Sequence, residues 1–227
     1  MATQIGRGLI VSCQAEEGSP FNEPVFIAAF ARAAELGGAS GVRICGVENV
    51  AAVRRAVRLP IIGLTKSVYP DGSVLITPGQ DDVEALRAAG ADVVAMDATA
   101  RRRSTGWTGA ETLGGAARAI AIPLMADVST LEEGIAAAAA GAAWVGTTLS
   151  GYTPDTASDD GGGPDFGLVA ALAAEIPGAV IAEGRIWTPE EAAEAMRLGA
   201  HAVVVGTAIT RPVEIVRRFV AALEAAG

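Results

Sequence analysis

The sequence predicts an α/β fold in which eight parallel strands, alternating with helices, close into a (β/α)8 TIM barrel. An Ala-rich helix, a Gly-Ala step and a short Val/Ile-rich run recur along the chain. The apolar runs are continuous instead of alternating, as in parallel strands that are buried on both faces. The length of 227 residues is close to the ~250 typical of this barrel. We therefore expect one catalytic domain over residues 1–227.

Eight apolar runs are the predicted strands. In chain order they are Gly8 to Ser12, Gly41 to Cys45, Pro60 to Thr65, Asp92 to Asp97, Ile122 to Asp127, Ala143 to Thr148, Ala179 to Glu183 and Ala202 to Gly206. A glycine ends several of the intervening helices, because only glycine takes the left-handed conformation after a helix without strain. These glycines are Gly38, Gly90 and Gly199.

Helix starts agree with this division of the chain. Thr188 is a predicted N-cap, with Pro189 at the first helical position and Glu191 at the third. Ser129 and Thr130 each precede a glutamate by three residues, which is typical of a capping box.

A doubly wound open sheet is the competing fold. That fold would carry a Gly-rich dinucleotide-binding turn after its first strand. Residues 13–16 read Cys-Gln-Ala-Glu instead. The sequence therefore favours the closed barrel.

The composition argues against two classes of partner. A net charge of −9 and a pI near 4.7 argue against nucleic acid, because binding to phosphate backbones needs a continuous basic face. The mean hydropathy is +0.38, yet no uncharged apolar stretch approaches the ~20 residues of a membrane-spanning helix. The N-terminal residues lack the basic start and apolar region of a secretory signal. We therefore expect a soluble cytoplasmic protein that binds neither nucleic acid nor membrane.

Four other features have ordinary interpretations. Cys13 and Cys45 fall inside apolar runs and are expected as buried thiols, since two cysteines do not form a disulfide framework. The run 101–103 is the only basic cluster, Arg-Arg-Arg, and is expected as a solvated or substrate-side loop. His201 opens the last strand at the face opposite the predicted site, so we assign it a structural role.

Lys66 is the only lysine, against sixteen arginines, and it follows the apolar run that begins at Pro60. Arginine cannot lose its proton in a protein. A lysine in a partly dry cleft can approach the neutral amine that a base or a Schiff-base nucleophile needs. We therefore interpret Lys66 as catalytic, with a snorkelling surface amine as the alternative.

Reacting groups in such barrels come from the carboxyl ends of the strands. The residues at those positions are far more polar than the strands that precede them. They are Gln14, Arg43, Lys66, Asp97, Asp127, Thr147 or Thr148 with Ser150, Glu183, and Gly206 with Thr207. No His pair or Cys pair at metal-binding spacing occurs, so the set indicates acid–base chemistry without a metal.

The loops after the last two strands indicate a phosphate group. Gly184 and Arg185 follow the seventh strand, and Gly206 and Thr207 follow the eighth. These barrels often bind phosphate there through backbone N–H groups. Arg211 adds a positive charge. Ordinary loop turning is the alternative explanation for the glycines.

Motifs at most of the predicted strand ends, taken together and in order, are those of one family. They are Gly8-Leu-Ile-Val-Ser-Cys-Gln14, Pro60-Ile-Ile-Gly-Leu-Thr-Lys66, Asp97-Ala-Thr99, Leu124-Met-Ala-Asp-Val-Ser-Thr-Leu-Glu-Glu-Gly134, Val145-Gly-Thr-Thr-Leu-Ser-Gly-Tyr-Thr-Pro154, Gly163-Pro-Asp-Phe166, Ile181-Ala-Glu-Gly-Arg-Ile186 and Val205-Gly-Thr-Ala-Ile-Thr-Arg-Pro212. The chain resembles the N-acetylmannosamine-6-phosphate 2-epimerases (N-acylglucosamine-6-phosphate 2-epimerases), TIM barrels of sialic-acid catabolism. The resemblance runs nearly end to end.

This resemblance implies reversible conversion of N-acetylmannosamine 6-phosphate into N-acetylglucosamine 6-phosphate, without a redox or metal cofactor. The family's catalytic lysine and glutamate fall on Lys66 and Glu183. Its substrate-contacting positions match Gln14, Arg43 and Asp127, to which we add Thr148, Ser150 and Arg185 as candidates from the strand ends. Its phosphate side matches Gly206, Thr207 and Arg211, and Gly184 joins them. Residues 101–107 and 159–163 depart from the family pattern, which leaves the exact N-acyl sugar open.

Inversion at C2 requires removal of a proton beside the C1 aldehyde of the open-chain sugar and its return to the other face. We expect Lys66 and Glu183 to exchange this proton, with Arg43 or Gln14 donating to the enolate oxygen. Which group serves which face is open, as is relay through a substrate hydroxyl.

Two other functions remain open, as does the assembly. One is a Schiff-base aldolase or lyase in which Lys66 attacks a sugar carbonyl. The other is a non-catalytic barrel that binds sugar phosphates. A homodimer is also left open.

Overall fold

The computed structural model describes residues 5–16, 18–69, 73–157 and 162–227. Its strands are β1 (Gly8–Cys13), β2 (Gly41–Cys45), β3 (Ile61–Leu64), β4 (Lys66–Val68), β5 (Val74–Ile76), β6 (Val93–Asp97), β7 (Leu124–Asp127), β8 (Trp144–Gly146), β9 (Ala179–Glu183) and β10 (Ala202–Val205). Eight of them form a closed parallel barrel in the order β1, β2, β3, β6, β7, β8, β9, β10. The predicted TIM barrel is confirmed, and the open-sheet alternative is wrong.

Helices alternate with the barrel strands. They are α1 (Pro24–Leu36), α2 (Val47–Ala56), α3 (Gln80–Ala88), α4 (Gly109–Ala119), α5 (Leu131–Ala139), α6 (Phe166–Glu175), α7 (Pro189–Arg197), α8 (Thr207–Thr210) and α9 (Pro212–Glu224). None of the helices in the described ranges is long and apolar enough to cross a membrane.

The predicted helix ends are confirmed with one refinement. Gly38, Gly90 and Gly199 have positive φ angles of 83°, 104° and 106°. Thr188 caps α7 in a capping box with Glu191.

At α5 the cap is Thr130, whose side chain accepts from the Glu133 backbone N–H. Ser129 does not cap the helix. Its hydroxyl donates to the carboxylate of Glu133.

The alternation of side chains along each strand decides what reaches the mouth of the barrel. Met125, Ile181 and Val204 lie in the apolar interior of the barrel, while a larger apolar layer separates the strands from the helices. Because successive side chains point to opposite faces, the residue two positions further along a strand faces inward again. Asp127 stands two residues after Met125, and Glu183 two residues after Ile181. The interior packing therefore aims these carboxyl groups at the mouth.

The remaining expectations have mixed outcomes. His201 lies before β10, where Nε2 is 2.8 Å from the Ile5 carbonyl oxygen, consistent with a structural role. Cys13 is buried, and burial raises the pKa of its thiol to about 12. Cys45 is half-buried, so the expectation of a buried thiol is only partly met there. Both thiols are free.

Candidate active site

A cavity of about 1350 Å³ lies over the carboxyl ends of the barrel strands. Most of the predicted site residues line it, namely Gln14, Arg43, Lys66, Thr148, Glu183, Gly184, Arg185, Gly206, Thr207 and Arg211. Three other candidates, Asp97, Asp127 and Ser150, are buried beneath or beside its walls. Most of the candidates taken from the carboxyl ends of the strands therefore surround one cavity.

Arg43, which lines the cavity, forms an ion pair with Asp127 beneath it. The exposed fraction of the side chain is 1% for Arg43 and 0% for Asp127. Nη2 of Arg43 donates to Oδ2 of Asp127 at 2.6 Å, and Nη1 donates to Oδ1 at 3.0 Å. Burial alone would lower the pKa of Arg43. The nearby carboxyl groups of Asp127 and Glu183 outweigh this effect and raise the pKa above its usual value. Arg43 therefore keeps its positive charge.

The strand neighbours leave room for this arginine. Nη1 of Arg43 is 3.6 Å from the sulfur of Met125. A Cβ at Gly146 would lie 2.4 Å from the Met125 methyl carbon and 3.1 Å from the Thr148 hydroxyl oxygen. Any larger residue at Gly146 would push against both groups, so the glycine preserves the space in which the ion pair is packed.

Glu183 joins this pair from β9. Its Oε2 lies 3.1 Å from Nη1 of Arg43 and 3.1 Å from the hydroxyl oxygen of Thr148. Burial raises the pKa of Glu183, and the Asp127 carboxylate adds to this effect, while Arg43 and Lys66 oppose it. A hydrogen bond donated by Thr148 would also lower this pKa, whereas one accepted by Thr148 from a protonated Glu183 would raise it. The backbone of Glu183 is fixed by the Thr147 hydroxyl, which accepts from its N–H at 3.0 Å and donates to its carbonyl at 2.9 Å.

Lys66 does not extend barrel strand β3, but begins β4, which pairs antiparallel with β5 above the barrel. Its side chain is open to the solvent of the cavity, whose walls nevertheless remove part of its hydration shell. This desolvation lowers the pKa of Lys66. The charges of Arg211 and Arg43 lower it further, while Cys45 and Glu183 oppose the shift. The amine is thus biased toward its neutral form.

Gln14 presents an acceptor to the site. Its Nε2 donates to the Ser12 hydroxyl at 2.8 Å. Its Oε1 is buried and has no hydrogen-bond partner in the described part of the chain. In this orientation the free atom of Gln14 suits a substrate O–H or N–H, so Gln14 is a poorer donor to an enolate oxygen than expected.

The two predicted phosphate loops line the same end of the cavity. Gly184 has φ 117°, and Gly206 is the N-cap of the short helix α8. The Thr210 hydroxyl donates to the Ser12 carbonyl at 2.7 Å, which holds α8 against β1. Arg211 pairs with Glu16 through a contact of 2.7 Å.

Arg185 ties down the long segment that follows β8. It has a left-handed φ of 55°, its Nη1 donates to the Ser150 carbonyl at 2.6 Å, and its Nε donates to the Gly163 carbonyl at 2.9 Å. Its guanidinium carbon lies 5.5 Å from the centre of the Tyr152 ring. Much of its hydrogen-bonding capacity therefore serves the loop, although the side chain lines the cavity.

Ser150 faces the loop and not the cavity. Its hydroxyl donates to Asp165 at 2.6 Å, and Asp165 caps α6. Residues 159–161 of the adjoining divergent segment lie outside the described residues.

Asp97 anchors the arginine run and does not reach the cavity. It is fully buried, and its carboxylate accepts hydrogen bonds from Thr99, Arg101 and Arg103. Residues 101–104 line the cavity wall. The substrate-side interpretation of the run is therefore supported by its position, whereas the expectation that Asp97 faces the site is wrong.

The hairpin of β4 and β5 is the main feature that the sequence analysis missed. It contributes Tyr69, Ser73 and Val74 to the cavity wall. The signal was present, because Pro-Asp-Gly at 70–72 stands between two Val-containing runs, a combination typical of a turn between strands. Residues 70–72 themselves lie outside the described residues.

No group of three or more His, Cys, Asp or Glu side chains within the described ranges is placed to hold a metal ion.

Comparisons with known proteins agree on one family. The family of N-acetylmannosamine-6-phosphate epimerases, NanE, matches residues 27–225. A relative from Caldanaerobacter subterraneus subsp. tengcongensis, which carries the name of an N-acetylmannosamine-6-phosphate 2-epimerase, is 48% identical over 96% of this chain and 91% of its own. The bifunctional enzyme NanE/NanK of Brucella melitensis biotype 1 is 50% identical over 96% of this chain and 41% of its own.

A solved structure is also similar over nearly the whole fold. It is the N-acetylmannosamine-6-phosphate 2-epimerase from Clostridium perfringens, with a TM-score of 0.88 and 41% identity. The alignment covers 95% of this chain and 93% of that one.

The single lysine makes its pKa directly measurable. After reductive methylation with ¹³C-formaldehyde, the folded chain should show one dimethyl-lysine NMR signal whose titration midpoint lies below that of a solvent-exposed dimethyl-lysine. The same label in urea should titrate at the ordinary value, because the cavity no longer desolvates it. Equal midpoints in the folded and unfolded chain would contradict the desolvation of Lys66.

Proposed function

This chain belongs to the family of N-acetylmannosamine-6-phosphate epimerases, and from that premise we propose how its residues perform the reaction. The protein is an N-acetylmannosamine-6-phosphate 2-epimerase, an isomerase of amino-sugar phosphates. Relatives that are fused NanE/NanK enzymes are consistent with a role in sialic acid catabolism. The observation that carries our proposal is that an amine with a lowered pKa and a carboxyl with a raised pKa line one cavity.

The reaction at C2 needs two groups that can each hold or release a proton. The C2 proton is acidic because the C1 aldehyde of the open-chain sugar delocalises the negative charge that its removal leaves. We assign removal to one of Lys66 and Glu183 and return to the other. Their pKa values are shifted toward each other, so moving a proton between these two groups costs less than between an ordinary lysine and an ordinary glutamate.

The enolate formed at C2 carries negative charge on the former aldehyde oxygen. Arg43 stays charged beside Glu183 and is fixed by Asp127, so it supplies a positive charge that needs no rearrangement during the reaction. We propose that Arg43 stabilises the enolate, while Gln14 accepts a hydrogen bond from the substrate through Oε1.

We propose that the 6-phosphate binds to Arg211 and to backbone N–H groups near Gly184, Gly206 and Thr207, all of which line the cavity. The first N–H groups of a helix such as α8 have no partner within that helix. A phosphate monoester carries about two negative charges, so it competes well with the Glu16 carboxylate for Arg211.

We further infer that residues 1–227 act as one catalytic domain in the cytoplasm. The closed barrel, whose strands extend from Gly8 to Val205, supports the first inference. The two free thiols support the second, because disulfides are rare in the reducing cytosol.

We also propose that the enzyme is a homodimer that buries α9. None of the residues of α9 is buried. Val216, Phe219 and Leu223 form an apolar stripe along it, with exposed fractions of 59%, 68% and 73%. Arg218, on the other side of the helix, stacks on Trp187 at 4.4 Å, so the stripe points away from its own barrel. An apolar stripe of this kind is typical of a contact with a second copy.

Solvent exchange tests the reaction type. In D2O, product made from protiated substrate should carry deuterium at C2, because the transferred proton exchanges with solvent. Deuterium at C3 or a cleaved carbon chain, detected by NMR and mass spectrometry, would exclude the epimerase assignment. Borohydride added with substrate should leave Lys66 unmodified, whereas a Schiff-base lyase would be covalently labelled there.

Lys66→Ala and Lys66→Arg should both lose activity. Arginine keeps the charge but cannot act as a base, so we expect kcat to fall about 10²–10⁴-fold in each variant. Thermal unfolding should stay near that of the wild type, because Lys66 lies outside the packed barrel. A Lys66→Arg enzyme with most of the original kcat would show that Lys66 acts only through its positive charge. Glu183 would then have to carry out both proton transfers at C2.

Arg211→Ala should raise KM about 10–100-fold, as expected when a charge-assisted hydrogen bond of about 1.5–3 kcal/mol is lost. Glu16→Gln is the matched control, because it breaks the same ion pair but leaves the arginine. Its KM should be unchanged or lower. Equal increases in the two variants would show that the broken pair, and not the phosphate contact, causes the effect.

The dimer predicts a light-scattering mass of about twice 22.8 kDa. Phe219→Glu places a charge in the apolar stripe and should shift the mass toward the monomer. Arg217→Ala changes an exposed side chain outside the stripe and should not. A wild-type mass of one chain across micromolar concentrations would contradict the dimer.

A further inference from the structure

The hydroxyl of Thr148 lies between two carboxyl groups. Its Oγ1 is 2.6 Å from Oδ1 of Asp127 and 3.1 Å from Oε2 of Glu183. A hydroxyl has one proton to donate and two lone pairs with which to accept. Thr148 can therefore donate to only one of these oxygens, and the other must approach one of its lone pairs.

The shorter contact identifies the acceptor of this proton. Asp127 is fixed as a carboxylate by two hydrogen bonds from Arg43 and is fully buried. A hydroxyl donating to a carboxylate makes a short, charge-assisted bond of about 2.5–2.7 Å, which matches 2.6 Å and not 3.1 Å. The proton of Thr148 thus points to Asp127, and a lone pair points to Glu183.

A lone pair beside Glu183 repels a carboxylate and attracts a carboxylic acid. The charged groups that face this side chain are Arg43, Asp127 and Lys66. Arg43 donates two hydrogen bonds to Asp127, and its Nη1 also lies 3.1 Å from Oε2 of Glu183, so one positive charge faces two carboxyl groups. An ionised Glu183 would therefore add an unbalanced charge to a largely desolvated site unless Lys66 were protonated, whereas a protonated Glu183 can donate from Oε2 to Thr148.

We propose that Thr148 is a positioning residue that holds a proton on Glu183 by accepting its hydrogen bond while donating its own to Asp127. This inference rests on the proposed role of Glu183 in proton transfer. The free enzyme then contains Glu183 as the acid and Lys66 as the neutral base. Lys66 removes the C2 proton, and Glu183 gives its proton to the opposite face of C2. Lys66 then loses a proton to solvent and Glu183 gains one from solvent, which restores the starting form of the enzyme.

Thr148→Val and Thr148→Ser test the proposal in the full-length chain. Valine has nearly the shape of threonine without the hydroxyl, and serine keeps the hydroxyl. The readout is the infrared band of the protonated Glu183 carboxyl group, titrated against pH and assigned by its loss in Glu183→Gln. This measurement needs no catalytic activity.

Loss of the acceptor should lower the midpoint of Glu183 in Thr148→Val by about 0.5–1 pH unit, the shift that corresponds to one hydrogen bond. Thr148→Ser should keep the wild-type midpoint. In Thr148→Val, the alkaline limb of the pH profile of kcat/KM, measured in the reaction direction in which Glu183 is the acid, should shift by the same amount as the infrared midpoint. An upward shift in Thr148→Val would mean that Thr148 donates to Glu183, and an unchanged midpoint would mean that it does neither. Either result overturns the proposal, as does a wild-type enzyme in which no Glu183 band appears.

Thr147→Val is the matched control. Its hydroxyl contacts only the backbone of Glu183 within the described contacts, so kcat should fall without a downward shift of the midpoint. The same shift of the Glu183 midpoint in both valine variants would show that any loosening of the packing around Glu183 lowers it, and this would overturn the proposal. A fully active Glu183→Gln enzyme would instead remove Glu183 from the proposed reaction, which is a separate outcome because the infrared titration does not depend on turnover.

Discussion

The ion pair of Arg43 and Asp127 sets the electrostatics of the whole site. Removing one partner of such a buried pair costs about 3–5 kcal/mol, because the other charge is left without compensation. The arrangement of the site therefore depends on both partners being present. Because Asp127 already balances Arg43, the next carboxyl group, Glu183, meets a site whose charge is satisfied. Burial raises the pKa of Glu183, and the Asp127 carboxylate adds to this effect.

The barrel supplies the geometry that this pair requires. Arg43, Asp127 and Glu183 come from three different strands, and each is an inward-facing residue above the packed interior. Their positions depend on the register of neighbouring strands, which backbone hydrogen bonds fix. Groups held in this way need little rearrangement when charge develops on the substrate, which is the main source of electrostatic catalysis. The loops proposed to hold the sugar and phosphate can differ between relatives without disturbing these three residues.

Much of this could be predicted from the sequence, and the failures have physical causes. Apolar runs and helix caps are local signals, so strand positions and the polar residues at their ends follow from them. The partner of a polar side chain depends on contacts between strands that are distant in the chain. For this reason Asp97, which resembles Asp127 by position, is bound by Arg101 and Arg103, and Ser150 faces Asp165. The same limit hid the position of Thr148 between two carboxyl groups, since nothing in residues 145–154 indicates which oxygens lie within hydrogen-bonding distance of its hydroxyl.

The two proposed proton carriers differ in how firmly the fold holds them. Glu183 is in a barrel strand, with its backbone fixed by Thr147 and its carboxyl group near Arg43 and Thr148. Lys66 begins a hairpin outside the barrel and reaches the cavity through a four-carbon side chain. An epimerase must address both faces of one carbon, while the proposed phosphate contacts would hold the sugar in one orientation. A fixed acid on one side and a flexible base on the other meet that requirement, because only the flexible group has to adjust as C2 passes through the planar enolate.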